Sequence, residues 1–269
     1  TAAGLPTLHP WNEAKAAAFL RDRQRLPHAL LFAGPKGLGK NAFAAWLTQF
    51  LLCVNPSEEG GPCGHCQGCR LFAAGSHPDL HVVQPEAVYK SSGTLIAQYA
   101  LRYPPGEKSK ESKDSSVIRI DQIRSLTENA QTRPQIAVCK VMLLSPADTM
   151  NVNAANSLLK LLEEPPPDSY LILVADRPAR LPATIRSRCA KASFHPLSVD
   201  FIASRVKAAA KKNIDDALAQ RIATMAGGSL SRALALDPAA LEHREEIIRG
   251  FESLRPDDAS GWLSLAEVL

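Results

Sequence analysis

Short apolar runs alternate with amphipathic segments from the start of the chain to about residue 194. Continuous apolar runs of about four to eight residues are typical of buried strands in parallel sheets. Such runs predict strands at residues 28–34 (HALLFAG), 81–85 (HVVQP), 140–145 (KVMLLS) and 170–175 (YLILVA). The helix predicted in NAANSLLKLLEEPPP must end before its prolines, since proline cannot continue a helix. This alternation predicts an α/β fold in which helices cover a parallel sheet.

The strand signals stop after HPLS at residues 195–198, and the segments that follow are helical. These are DFIASRVKAAAKK, DDALAQRIATMA and SLSRALAL. We therefore expect an α/β domain over residues 1–194, a small all-α domain over 195–238 and the start of a third, helical domain over 239–269. The polar segment 104–116 predicts a surface loop. Because the chain lacks an initial Met and ends within a predicted helix, we expect part of the protein to lie beyond residue 269.

The composition is that of a soluble globular protein, with 45% hydrophobic and 22% charged residues. No apolar run reaches the ~20 residues that a membrane-spanning helix needs, so no membrane association is expected. The first residues lack the charged-then-apolar pattern of a signal peptide, which favours a cytoplasmic location. The net charge of +4 is too small to indicate nucleic-acid binding by itself.

Four of the six cysteines lie close together, with the spacing C-x9-C-x2-C-x2-C. They are Cys53, Cys63, Cys66 and Cys69. Four thiolates complete the tetrahedral shell of a structural Zn²⁺ and leave no position open for chemistry. Disulfides are disfavoured in the cytoplasm. An iron–sulfur centre remains an alternative, because the spacing C-x2-C-x2-C also occurs in iron–sulfur proteins. His65 and His77 are spare candidate ligands.

The segment GPKGLGKN, residues 34–41, differs by one residue from the phosphate-binding loop GxxxxGK[ST]. Gly34, Gly39 and Lys40 are therefore candidates to hold phosphate through backbone N–H groups and an ammonium. Asn41 takes the place of the hydroxyl residue that normally binds Mg²⁺. The loop thus predicts a degenerate nucleotide site, at which ATP binding is doubtful.

The strand that should end in a metal-organising acid instead runs into Ser145 and Pro146. The first acid, Asp148, comes three positions after Ser145. That shift moves the carboxylate by several ångströms, and ATP hydrolysis does not tolerate such a displacement of a catalytic group. We expect no ATP hydrolysis by this chain, while weak nucleotide binding without turnover stays open.

Five segments, taken in order, resemble the delta-prime subunit family of the bacterial DNA polymerase III clamp loader. They are HALLFAGPKGLGKNAFA, CGHCQGC, HPDLHVV, NAANSLLKLLEEPPP and LPATIRSRC. The resemblance implies a P-loop AAA+ domain with an inserted zinc module at about residues 53–69, a small helical lid and the start of a helical collar. It also implies a complex with motor (gamma/tau) and delta subunits, which places the sliding clamp on primed DNA as part of the polymerase holoenzyme. Delta-prime is understood as the non-hydrolysing stator of that complex.

Two groups of residues match the motifs of this family. The four cysteines match its zinc module, and Arg188 of SRC matches an arginine finger that acts on the ATP of a neighbouring subunit. Without the resemblance, Arg188 would be interpreted as a salt-bridged surface arginine. The sensor position of the motor subunits falls near Ala175, so the resemblance implies that this function is lost. Two rival hypotheses are an active AAA+ ATPase motor and a zinc-dependent nucleic-acid binder that acts alone.

Overall fold

A parallel five-stranded sheet organises residues Thr1–Phe194, one of two compact units in the computed structural model. The structure describes residues 6–21, 25–57, 61–106, 113–210 and 214–237. The strands are β1 (Ala29–Ala33), β2 (Leu80–Val83), β3 (Lys140–Leu144), β4 (Ser169–Ala175) and β5 (Ala190–Ser193). Their order is β2–β3–β4–β1–β5, and all neighbouring pairs are parallel. The four predicted strands are confirmed, and β5 is an additional strand that the apolar pattern missed.

Eight α-helices connect and cover these strands among the described residues. They are α1 (Glu13–Arg21), α2 (Lys40–Leu52), α3 (Gln67–Ala73), α4 (Glu86–Ser92), α5 (Leu95–Ala100), α6 (Ile120–Ala130), α7 (Val152–Glu163) and α8 (Ala183–Arg186). Short 3-10 turns occupy Pro10–Asn12, Ala147–Thr149 and Pro178–Arg180. As predicted, α7 stops at Glu163, and Glu164, which precedes Pro165, leaves the helical region with φ −126° and ψ 70°.

Both faces of the sheet are buried along β1 to β4, because side chains alternate between two cores along each of these strands. In β1, Leu30 and Phe32 face the core that contains α2, while Leu31 faces the core that contains α6 and α7. Nearly every residue of α2 is buried, so this helix is covered on most sides. Parallel sheets need this double coverage, and the continuous apolar runs of the sequence are its consequence.

The second compact unit, His195–Leu269, contains three described helices. They are α9 (Val199–Ala209), α10 (Asp216–Met225) and α11 (Leu230–Ala235). Each helix is capped at its start by a side-chain oxygen that accepts a backbone N–H of the first turn; the capping residues are Ser198, Asp215 and Ser229. The predicted collar region, 239–269, and part of the predicted loop, 107–112, lie outside the described residues. None of the described helices combines the length and apolar character needed to cross a membrane.

A buried aspartate joins β2 to the segment that leads into β3. Asp79 is 0% exposed, and its carboxylate accepts the N–H groups of Gln135, Ile136 and Ala137 at 2.6, 2.8 and 2.8 Å. Because all three donors would lose their acceptor, we expect Asp79→Ala to lower the free energy of unfolding by about 3–5 kcal/mol.

Denaturant unfolding measures the effect of Asp79→Ala directly. The matched control is Asp114→Ala, since Asp114 is 44% exposed and pairs with Lys90 at the surface. That control is expected to cost less than about 1 kcal/mol. Equal effects from the two variants would show that the buried carboxylate does not hold the two segments together.

Candidate metal centre and phosphate-binding loop

Four cysteine sulfurs meet between the end of α2 and the start of α3. Cys53 directly follows α2, Cys66 caps α3 and Cys69 lies in its first turn. The Sγ atoms of Cys53, Cys63, Cys66 and Cys69 all lie within 4.8 Å of one another. The Cys53 Sγ is 3.6 Å from that of Cys63 and 3.7 Å from that of Cys66. Sulfurs about 2.3 Å from a tetrahedral Zn²⁺ lie roughly 3.8 Å apart, so these residues fit the ion.

Backbone N–H groups within the cluster point at the sulfurs. The Cys66 N–H donates to the Cys63 Sγ at 3.3 Å, and the Cys69 N–H donates to the Cys66 Sγ at 3.4 Å. Burial opposes ionisation of Cys66, but hydrogen bonds from the backbone of Cys69 and Val54 and from the side chains of Cys63 and Cys69 together lower the pKa of Cys66 to about 6. Burial raises the pKa of Cys53 and of Cys69. A cation among the sulfurs would favour the thiolate at all four positions.

A glycine lets α3 approach the end of α2 closely enough to bring the sulfurs together. A Cβ on Gly68 would lie 2.4 Å from the carbonyl oxygen of Leu52, a backbone atom that cannot easily move away. Phe72 of α3 is fully buried, and its ring centroid lies 6.0 Å from that of Tyr99. The Tyr99 hydroxyl donates to the carbonyl of Phe72 and accepts the N–H of His77. The cysteine cluster is therefore packed against the main core.

Neither spare histidine belongs to the cluster, whose candidate ligands in the described part of the chain are the four cysteines. His65 is exposed, and its Nδ1 lies 2.8 Å from the Cys63 carbonyl oxygen. His77 is fully buried, and its Nδ1 accepts the N–H of Asp79 at 3.2 Å. Burial lowers the pKa of His77, which favours the neutral ring. None of the six cysteines forms a disulfide, so the four sulfurs of the cluster are available to a metal ion.

Residues 34–39 form the turn between β1 and α2, and Lys40 and Asn41 open α2, which is the context that a phosphate-binding loop needs. A Cβ on Gly34 would lie 2.2 Å from the carbonyl oxygen of Phe194. Gly39 has φ +82°, a left-handed conformation, and a Cβ there would lie 2.7 Å from the ring of His9. Both glycines are required by neighbouring protein atoms, so the loop sequence alone does not indicate a bound phosphate.

The loop lysine, Lys40, faces protein atoms and is only 3% exposed. Its Nζ donates to the carbonyl of Pro35 at 2.6 Å and lies 2.7 Å from Oδ1 of Asp176. Asp176 directly follows β4, which is paired with β1 so that Ala175 lies opposite Ala33. A carboxylate of the same chain therefore neutralises the ammonium that would otherwise bind phosphate.

The two positions that normally hold Mg²⁺ are hydrogen-bonded to each other. The hydroxyl of Ser145, at the carboxyl end of β3, donates to Oδ1 of Asn41 at 2.7 Å. Neither side chain carries charge, and Ser145 is buried. Mg²⁺ bound with nucleotide is normally held by carboxylate and hydroxyl oxygens together with phosphates. This neutral pair supplies no carboxylate.

Asp148, the first acid after β3, binds backbone groups of the chain that follows β4. Its carboxylate accepts the backbone N–H of Asp176 at 3.0 Å and that of Arg177 at 3.1 Å. The side chain is 2% exposed, and its Oδ2 lies 3.8 Å from the Nε of Arg177. Asp148 thus anchors the chain just after β4, next to the carboxylate that binds Lys40.

Arg188 lies on the surface, two residues after the end of α8. Its Nη2 is 2.7 Å from Oε1 of Glu163, and its Nη1 donates to the carbonyl of Thr184 at 3.0 Å. The side chains of Arg188 and Glu163 are 37% and 49% exposed, so solvent reaches both members of the pair. The guanidinium is held in place and remains accessible.

Comparison with known proteins identifies the family of the chain. The family described as DNA polymerase III, delta subunit, matches residues 15–198. DNA polymerase III subunit delta' of Pseudomonas aeruginosa is 35% identical over 92% of this chain and 67% of its own length. The chain belongs to the delta-prime family of DNA polymerase III subunits. The Bacillus subtilis subunit delta' is 32% identical over 87% of this chain and 61% of its own length.

This delta-prime family member therefore spans about two thirds of the length of those relatives. Its parallel sheet and phosphate-binding loop form a P-loop AAA+ fold. Among solved structures, it is similar to the Thermotoga maritima RuvB Holliday junction branch migration motor. That likeness has a TM-score of 0.47 and 16% identity, over 97% of this chain and 70% of the motor.

Sequence reasoning on this delta-prime family member missed two residues of the site. The first is Asp176, an acid that directly follows the apolar run of β4. Such an acid was sought only after the strand that became β3. The second is Glu163, whose pairing with Arg188 has no signal in the sequence, because the two residues are far apart along the chain and meet only when it folds. The predicted roles of the loop residues, of Arg188 and of the cysteines as ligands stay predictions.

Proposed function

We propose that this chain is a non-hydrolysing subunit of the DNA polymerase III clamp loader, which supports loading of the sliding clamp onto primed DNA. Its partners would be the motor (gamma/tau) and delta subunits, with the clamp and DNA reached through the complex. The observation that carries the proposal is the neutral hydrogen bond between Ser145 and Asn41. Membership of the delta-prime family supports it independently.

The absence of a carboxylate at Ser145 argues against turnover at the loop. Phosphoryl transfer depends on metal ions that neutralise the charge developing on the phosphates. Asn41 can offer only an amide oxygen, and its Oδ1 already accepts the hydroxyl of Ser145. Asp148 is held by two backbone N–H groups, so it cannot replace the missing acid without breaking them.

Arg188 fits the role of an arginine finger that acts on the ATP of a neighbouring motor subunit. A guanidinium has a permanent charge and planar donors that match phosphate oxygens. Its ion pair with Glu163 is exposed at both ends, and such pairs contribute little to stability. Exchange of Glu163 for a phosphate would therefore cost little.

The cysteine cluster supplies a structural zinc site in this proposal. Its four thiolate ligands would saturate the ion, leaving no position for water or substrate. The cluster joins the end of α2 to the start of α3, and α2 begins at the phosphate-binding loop. Bound zinc would thus stabilise the packing of helices that also carry the degenerate nucleotide site.

The purified chain is expected to show no ATP turnover above the buffer rate. A coupled ATPase assay with Mg²⁺ measures this, on wild type and on Lys40→Ala. Lys36→Ala is the matched control, because Lys36 lies in the same loop with an exposed side chain. Turnover that Lys40→Ala abolishes and Lys36→Ala preserves would reject the proposal.

An active AAA+ ATPase motor is the second candidate. The strand–loop–helix geometry at Gly34–Lys40 and the position of Lys40 at the start of α2 favour it. The assay above separates the two functions, since a motor hydrolyses ATP through its own lysine and a stator does not.

A further inference from the structure

The phosphate-binding loop has an internal anion. Lys40 is buried between two acceptors, the Pro35 carbonyl and the Asp176 carboxylate, at 2.6 and 2.7 Å. An ammonium in that position is what a β- or γ-phosphate normally meets. Asp176, whose side chain is 31% exposed, therefore provides the negative charge that a polyphosphate would otherwise bring.

Two features of the fold place the Asp176 carboxylate at the loop. The parallel pairing of β1 with β4 puts the residues after Ala33 and Ala175 at the same edge of the sheet. The buried carboxylate of Asp148 then accepts the backbone N–H of Asp176 at 3.0 Å and fixes the chain at that point. The contact with Lys40 thus follows from strand order and from a buried anchor.

Polyphosphate binding at this loop would have to compete with Asp176. A phosphate at Lys40 either displaces the carboxylate or shares one ammonium with it, and two like charges at one cation repel. Removing the carboxylate charge would leave a buried ammonium with no compensating anion among its described contacts, since the Pro35 carbonyl and an amide oxygen at residue 176 are both neutral; this is strongly unfavourable until an anion binds.

We propose that Asp176 closes the phosphate-binding loop to polyphosphates by pairing with Lys40, and that Asp176→Asn converts the loop into a site that binds polyphosphate without hydrolysing it. The inference rests on the proposed function only in the second part, the lack of hydrolysis. Because Asn41 and Ser145 offer no carboxylate, the binding gained is independent of Mg²⁺.

Calorimetric titration with inorganic tripolyphosphate and with ATP tests the proposal. Asp176→Asn is expected to bind tripolyphosphate about tenfold or more tightly than wild type, with Mg²⁺ or with EDTA. Tighter binding of ATP than of tripolyphosphate would identify a nucleotide site, and equal binding would identify a site for the phosphates alone. In both cases, tighter binding by Asp176→Asn than by wild type supports the view that the Asp176 carboxylate competes with phosphate for Lys40.

Three variants locate the effect. The double variant Asp176→Asn/Lys40→Ala is expected to lose the gain, because the ammonium is the group that was released. Asp114→Asn removes the same charge from another Lys–Asp ion pair, with Lys90, and is expected to change affinity less than about twofold. Asp176→Ala provides a second substitution, and thermal melting establishes that each variant is folded.

The proposal is overturned if folded Asp176→Asn and Asp176→Ala bind no more tightly than wild type. It is also overturned if the gain survives Lys40→Ala, or if it appears only with Mg²⁺. The same samples, assayed for ATP turnover, test the proposed function separately. Hydrolysis by wild type would reject the stator role, whereas unchanged affinity in the Asp176 variants would reject only the role of Asp176.

Discussion

Replacing Arg188 with alanine is expected to lower ATP turnover by the reconstituted clamp loader about a thousandfold or more, while this chain stays folded. The reason is that a trans-acting guanidinium neutralises charge that develops on the transferred phosphoryl group, and alanine supplies none. Loss of the exposed Glu163 ion pair should cost the chain less than about 1 kcal/mol. Steady-state ATPase rates of the complex, with thermal melting of the isolated subunit, measure both effects.

Two further variants separate a finger from a structural arginine. Glu163→Gln breaks the same ion pair but keeps the guanidinium, so turnover should stay within a few-fold of wild type. Arg186→Ala removes another exposed arginine of the same segment and should also have little effect. If Glu163→Gln slows the complex as much as Arg188→Ala, the ion pair matters rather than the finger. An unchanged rate in Arg188→Ala would reject the finger role.

The parts of the fold that could be predicted are those whose signal is local in sequence. The buried strands β1, β3 and β4 are apolar runs, and the end of α7 is fixed by Pro165, so each can be recognised without knowing its neighbours. The cysteine spacing is local in the same way, since Cys-x-x-Cys brings two sulfurs onto one turn before the rest of the chain folds.

Strand β5 could not be predicted, because its sequence AKAS has no apolar run and its residues are exposed or half-buried. It is a strand only because it pairs with β1, opposite Leu30–Ala33. Asp176 was missed for a related reason. Its contact with Lys40 requires β4 to lie beside β1, and strand order is a property of the whole sheet rather than of any segment.

The structure gives the glycines of the loop a reason that needs no ligand. Gly34 is required by the backbone of Phe194, Gly39 by its left-handed conformation, and Lys40 has a carboxylate partner within the chain. A loop of this sequence is therefore compatible with packing alone. The sequence predicts a degenerate nucleotide site, and the structure adds Asp176 as a carboxylate that already pairs with its lysine.

Replacing Cys66 with serine is expected to release about one metal ion per chain and to lower the free energy of unfolding by roughly 3 kcal/mol or more. For a chain of this size, that corresponds to a fall of about 10 °C in the melting temperature. The reason is that Cys66 both contributes a sulfur and caps α3, whose Phe72 is buried in the main core. Metal analysis and thermal melting of the purified variant measure the two effects.

The control for the cysteine experiment is His65→Ala, because His65 lies in the same turn but is exposed and outside the cluster. It should keep its metal and melt close to wild type. Zinc without visible absorbance would support four thiolates around a redox-inactive ion, whereas iron and a coloured protein would favour the iron–sulfur alternative. A metal-free Cys66→Ser that melts with wild type would mean that the packing of Phe72 and Gly68 holds α3 in place alone, and the cluster would then have no structural role.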